Sequence, residues 1–291
     1  MTRLMESKVV TINISLWLRS VLCAVLFLIC HFQSASGASS NYSPYQYDQT
    51  TPLFTPDGRL LQVEYASKAV DDYSNPLIIL ALNETVSAIV ACTPRQSLLS
   101  RLVVLPATDV SPSNVVVALS GVLPDGMALL QQVQDYARQQ QQRTGGLHPS
   151  ARSLALYAAS VCHRRAMGGG IRPFGARLTI LETQQQQELR TAWITDPSGT
   201  VRAVEWDVGN TGPVVVFGDR EQRLSRTFAK VTHKNLRGVA LLRKTVKECF
   251  NVLQKVDDKT DYQMQVIIWS SRTGEVYELS KEQTKHLLQF V

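Results

Sequence analysis

Cys162, His163, Arg164 and Arg165 form an unbroken run. Those residue types could make a thiolate nucleophile with its base, or a guanidinium site for an anion. The run falls inside a helical pattern over Ser150–Met167, whose face is Leu154, Ala158 and Val161. Neighbours at i and i+1 on a helix point in different directions. The expectation is therefore a core cysteine beside a surface histidine, not a catalytic pair. The five cysteines (Cys23, Cys30, Cys92, Cys162, Cys249) are odd in number and none sits at metal-ligand spacing. No glycine loop of the phosphate-cradling kind is present, so neither cofactor nor metal is expected. The 30 basic and 24 acidic side chains leave a formal charge of +6. No concentrated basic stripe stands out, which argues against a dedicated nucleic-acid surface.

The elements that must position any site follow from periodicity. The chain has 291 residues, of which 44% are apolar and 19% charged, values that suit a folded core. A helix is predicted over Leu61–Tyr73, with Val63, Ala66 and Val70 on one face. Leu77–Leu82 and Val86–Ala91 read as a hairpin of buried strands, and Leu102–Leu105 with Val115–Ser120 as a second pair. Helices are expected over Met127–Arg143 and Ser150–Met167, then strands over Ala176–Glu182, Glu188–Thr195 and Val201–Trp206. A helix from about Leu236 to Val256 carries an apolar stripe at spacings of three and four. Strands Met264–Trp269 and Val276–Leu279 and a helix Lys281–Phe290 close the chain. Runs of strands alternate with helices and no βαβ unit appears. The expected class is α+β: two antiparallel sheets face to face with helices outside.

Residues 1–38 do not read like the rest. Arg3, Lys8 and Arg19 precede the apolar run Val21–Cys30, followed by Ser36 and Ala38 in a small-x-small pattern. Ten apolar residues fit a signal-peptide core and fall short of a bilayer span. The alternatives are a signal anchor, a buried helix or a start-site artefact. Sequons stand at Asn13, Asn41 and Asn83 and matter only in a secretory lumen.

Residues 47–70 read YDQTTPLFTPDGRLLQVEYASKAV. This stretch resembles the N-terminal signature of the α-type subunits of the 20S proteasome. The match rests on Tyr47, Asp48, Phe54, Pro56-Asp57-Gly58-Arg59-Leu60, Gln62-Val63-Glu64-Tyr65-Ala66 and Ala69-Val70. Ser120-Gly121 with Pro124-Asp125, the segment Gly168–Gly175, and Asp196-Pro197-Ser198-Gly199 resemble later family segments. Gln49 and Pro52 differ from the pattern, as do the loop Pro106–Asn114 and the segment Val208–Asn235. The resemblance implies a four-layer αββα sandwich, the N-terminal nucleophile hydrolase-like fold. With the signal-peptide-like leader set apart at 1–38, it implies a gate tail and turn at 39–61 and the sandwich at 62–291.

The function implied is mechanical. Catalytic relatives of this fold need a processed N-terminal Thr and an assisting Lys. Residues 69–229 hold no lysine, and no Thr opens the strand near Asn75-Pro76-Leu77. The resemblance implies a non-catalytic member of a seven-membered α ring, with α subunits, β-ring subunits and activators or a regulatory particle as partners, in ubiquitin-dependent degradation. It places Tyr47, Asp48, Pro56 and Tyr65 in a gate cluster, and Arg101 and Gly121 at the activator-docking site. The expected location is cytoplasm and nucleus. The alternative is a divergent copy in the secretory pathway or a plastid-associated compartment, with a scaffold or binding role. Nucleic acid is not an expected partner, and membrane contact is expected only through an uncleaved leader.

Overall fold

The computed structural model describes residues 48, 53–73, 77–83, 85–94, 103–106, 115–168, 171–182, 189–207, 214–217, 236–254 and 262–289. The leader, Tyr47, Arg101 and most of the loop Pro106–Asn114 lie outside these residues. Residues 47–291 group as one compact unit.

The strand sequences explain the architecture. β1 (Leu77–Ala81) is buried at every position, and β4 (Val115–Gly121) nearly so. A strand alternates its side chains, so a wholly apolar strand must be covered on both faces. In β1, Ile78 and Leu80 point into one apolar cluster, while Leu77 and Ile79 point into another. In β4, Val115, Val117 and Leu119 alternate in the same way with Val116 and Ala118. The remaining strands are β2 (Val86–Pro94), β3 (Val103–Pro106), β5 (Ala176–Glu182), β6 (Leu189–Thr195), β7 (Val201–Asp207), β8 (Val214–Phe217), β9 (Tyr262–Ser270) and β10 (Val276–Glu278). They form two antiparallel five-stranded sheets, ordered β10-β9-β2-β1-β8 and β3-β4-β5-β6-β7.

The layers follow from the three clusters. Helices α2 (Leu123–Arg143) and α3 (Ala151–Met167) cover the second sheet, and α4 (Gly238–Gln254) and α5 (Lys281–Gln289) cover the first. Between the sheets lie Leu77, Ile79, Ile89, Val116, Ile267 and Trp269. The fold is the expected α+β αββα sandwich. Helix α3 presents a stripe of alanines (Ala151, Ala155, Ala158 and Ala166) with Leu154 and Cys162, and Ser150 caps its start by accepting from Ser153 N. The fifth helix, α1 (Leu61–Tyr73), packs on β4 and β5. No helix of the described residues is long and apolar enough to cross a membrane.

Most element ends lie within a few residues of the expected ones, and two larger differences stand out. Helix α2 starts at Leu123 rather than Met127, because Pro124 in the first turn needs no helical N–H partner and Asp125 suits the positive helix end. Strand β8 was not anticipated: Val214–Phe217 pairs antiparallel with β1 at the sheet edge.

One buried group breaks the apolar pattern of α4. Thr245 is fully buried, and its Oγ1 has no hydrogen-bond partner among the described residues. An unmade hydrogen bond leaves the hydroxyl's desolvation uncompensated. Thr245→Val is expected to raise stability by about 1 kcal/mol in urea unfolding. A loss of stability would show that the hydroxyl is satisfied after all.

Candidate functional site

The N-terminal signature folds as a tight turn feeding α1. Thr55 is buried and organises the turn: its N–H donates to Arg59 O at 2.9 Å, its carbonyl accepts from Gly58 N at 2.8 Å, and its Oγ1 accepts from Arg59 N at 3.0 Å. Gly58 takes φ +77°, a conformation that favours glycine. Arg59 grips Glu64 through both nitrogens of its fork, with Nε to Oε1 at 3.0 Å and Nη2 to Oε2. That hydrogen bonding holds the Glu64 carboxyl below the usual range. Gln62 reaches back and donates its Nε2 to the backbone carbonyl of Asp48 and to Asp48 Oδ1 at 3.2 Å. The turn and the first turns of α1 therefore hold Asp48 in place.

Leu61, Val63, Ala66 and Val70 are buried under α1, whereas Phe54 is 55% and Tyr65 46% exposed.

The other end of α1 rests on a close backbone crossing. Gly121 ends β4 at φ +91°, and a Cβ there would lie 2.5 Å from Gly175 O and 3.3 Å from Val70 Cγ2. Val122 N donates to that same Gly175 O at 2.8 Å. Asp125, 8% exposed in the first turn of α2, locks the crossing. Its Oδ2 accepts from Gly175 N at 2.8 Å and from Arg172 Nη1 at 2.5 Å, and its Oδ1 from Arg172 Nη2 at 2.7 Å. Arg165 lies 3.9 Å over the Phe174 ring on the same segment. Arg177 on β5 stands 3.6 Å from Asp71 on α1. Helix, corner and the Arg172–Gly175 segment interlock.

Of the sequence-predicted site residues, the structure brings together Asp48 with Gln62, Arg59 with Glu64, and Pro56, Asp57 and Gly58 in the turn. Tyr65 and Phe54 sit on the exposed side of this cluster. Gly121 lies at the opposite end of α1. Tyr47 and Arg101 lie outside the described residues. Cys162 is fully buried in the α2–α3 layer, and burial with the Asp196 charge pushes its thiol up to about 12 against the pull of Arg165. His163 beside it is exposed, so the two make no nucleophile–base pair. Among the described residues, no group of three or more His, Cys, Asp or Glu side chains could hold a metal ion.

Comparison with known proteins bears on the same segment. The family model for the N-terminal signature of A-type proteasome subunits matches residues 47–69. The chain is similar to α-type proteasome subunits along most of its length. It is 25% identical to the alpha type-3 proteasome subunit of Dictyostelium discoideum over 233 residues, 80% of this chain and 88% of that one. It is 25% identical to the alpha type-7-A proteasome subunit of Arabidopsis thaliana over 241 residues, 82% and 89% of the two chains. With the alpha proteasome subunit of Pyrococcus abyssi it shares 28% over 183 residues, 60% and 66%.

Sequence reasoning singled out the pieces Pro124-Asp125 and Gly168–Gly175 without joining them. Their joint is the Asp125–Arg172 clasp. The one signal that could have found it was the pairing of an acid in one segment with an Arg in the other.

The clasp sets a pH dependence. Burial alone would raise the Asp125 carboxyl. The hydrogen bonds from Arg172 and Gly175 N, with the charges of Arg172 and Arg165, outweigh it and hold the group below its usual range. A depressed folded-state value stabilises the fold at neutral pH, and that contribution is lost as pH falls through the folded value. Asp125→Asn is expected to cost about 2 kcal/mol at neutral pH. The gap to the unmodified chain should close as pH drops below about 4 in urea unfolding. A gap that stays constant across that range would show that the carboxylate charge contributes nothing.

Proposed function

We propose that the chain is a non-catalytic α-ring subunit of a proteasome core particle, contributing to ring assembly, pore gating and activator docking in ubiquitin-dependent protein degradation. The observation that carries this reading is the Asp48–Gln62 bond within a matched signature whose helix is anchored on Gly121 and Gly175. A gate segment must be fixed at its base so that residues beyond it can meet a neighbour in one geometry. Asp48, pinned by Gln62, supplies the fixed acceptor. A tyrosine hydroxyl can donate to such a carboxylate across the boundary between neighbours. In this reading Tyr47, Asp48, Pro56 and Tyr65 form the gate cluster, and Pro56 sets the turn beside it. Arg101, two residues ahead of β3 in sequence, holds an activator's terminal carboxylate with its guanidinium fork.

The chain does no peptide chemistry itself in this reading. Strand β1 follows α1 directly in sequence, with Asn75-Pro76-Leu77 where a nucleophilic Thr would have to be freed. The assisting Lys has no counterpart, since residues 69–229 hold none. The gate tail and turn occupy 39–61, the sandwich 62–291, and the site of action is cytoplasm and nucleus.

A second reading rests on the leader. Val21–Cys30 with Ser36 and Ala38 favours routing of a divergent α-like scaffold into the secretory pathway or a plastid-associated compartment.

One experiment separates the two. A C-terminally tagged chain, pulled down under native conditions from its own cells and read by mass spectrometry, should bring other α and β subunits with it. Retrieval of none of them would overturn the ring assignment. A glycan at Asn41 would favour the second reading. Within an assembled particle, Tyr65→Phe is expected to lower activator-stimulated peptide hydrolysis several-fold while the composition of the particle stays constant. Unchanged turnover would remove Tyr65 from the gate.

A further inference from the structure

We propose that the outer face of α4 docks an acidic peptide segment of a partner protein. The inference does not depend on the ring reading. Between Glu221 and Glu248 the sequence holds eight Lys and Arg residues and no Asp or Glu, against a net charge of +6 for the whole chain. Charge summed over the whole chain hides a local basic run. The fold exposes it by setting Arg243, Lys244 and Lys247 along α4 with Arg237 just before it.

Residues four apart on a helix lie in one row. Val239, Arg243 and Lys247 form one row of α4, and Ala240 and Lys244 form the next, which ends in Glu248. Arg237 stands just before the helix. Arg237, Arg243 and Ala240 are exposed and Val239 is 59% exposed, with Lys244 and Lys247 half-buried. No described residue makes an ion pair with Arg237, Arg243, Lys244 or Lys247. The neighbouring helix α5 adds exposed Lys281 and Lys285 against a single exposed acid, Glu282. The opposite face of α4 (Leu241, Leu242, Val246 and Cys249) is buried against the first sheet, so the rows are held rigidly outward.

Size and chemistry select the occupant. From Arg237 to Lys247 the cations span about 15 Å along the helix. An extended peptide covers that with about five residues. A nucleic-acid module buries roughly 600–1,000 Å² and uses aromatic stacking for single strands, and these rows carry no aromatic side chain. A helix lying in a membrane interface needs a free apolar face, and that of α4 is spent on the core. An apolar Val239 set among cations fits carboxylates flanking one apolar side chain.

The probe is a fluorescein-labelled peptide of about ten residues, with Asp and Glu flanking a central Leu. It is titrated by fluorescence anisotropy against the whole purified chain. Binding is expected, weakening as salt rises. The double variant Arg243→Glu/Lys247→Glu should lose roughly tenfold, and Val239→Ser several-fold, while Lys285→Glu on α5 should lose far less. Urea unfolding of each variant guards against misfolding. The proposal is overturned if the peptide does not bind, or if the folded double variant binds it like the unmodified chain. It is equally overturned if a duplex oligonucleotide or phosphatidylserine vesicles bind these residues more tightly than the peptide.

Discussion

The approach of two backbones at Gly121 and Gly175 is the constraint on which the N-terminal half of the structure depends. With the Gly175 carbonyl accepting from Val122 N, any Cβ on Gly121 would sit 2.5 Å from the same oxygen. Real Cβ atoms do not come that near, so only glycine closes the corner. Closure brings Asp125 within reach of Gly175 N and the Arg172 fork. It also leaves a shallow shelf on which Ala69 and Val70 of α1 can lie. A side chain at Gly121 would press on the Gly175 backbone and on Val70, and so disturb the seat of α1, whereas a Cβ at Gly175 would meet Ala69 Cβ at an ordinary 3.6 Å. The bare position at Gly121 thus helps fix the direction in which α1 and the signature turn run.

The clasp at this corner is asymmetric in a useful way. Asp125 is nearly buried, while the Arg172 side chain is 65% exposed. The carboxylate loses its water and is repaid by three hydrogen bonds, one of them from a backbone N–H. The guanidinium keeps part of its hydration. A pair buried on both sides would carry a larger desolvation cost for little gain. Placing only the acid inside keeps the corner stiff at modest expense.

Much of the fold was legible because its strands are covered on both faces. Such strands are uninterrupted apolar runs, and β1, β2 and β4 were read from the sequence for that reason. The helix stripes of α1, α3 and α4 were equally plain. What escaped was short or non-local. Strand β8 is four residues long, between Pro213 and Gly218, and it gains meaning only by pairing with β1. The start of α2 was hidden by Pro124 and Gly126, which read as breakers but are tolerated in a first turn. The Asp125–Arg172 clasp spans 47 residues of sequence, and no periodicity connects its ends. The basic rows of α4 were diluted in a whole-chain charge that counts acids elsewhere. Within the signature, the turn was legible from Pro56-Asp57-Gly58, but the Gln62–Asp48 bond was not, because a side chain reaching back fourteen residues leaves no local pattern.

The division of burial along α1 argues what this helix is for. Leu61, Val63, Ala66 and Val70 would suffice to hold it on β4 and β5. Phe54 and Tyr65 stand apart from that stripe, and both are about half exposed. An exposed aromatic contributes little to the stability of an isolated chain and raises its tendency to associate. Tyr65 stands on α1 and Phe54 adjoins the hydrogen-bonded Thr55 turn, so both lie close in sequence to the elements that hold Asp48. Preorganisation of this kind lowers the ordering cost of association. In the proposed ring reading, such a surface would meet its neighbour in one geometry.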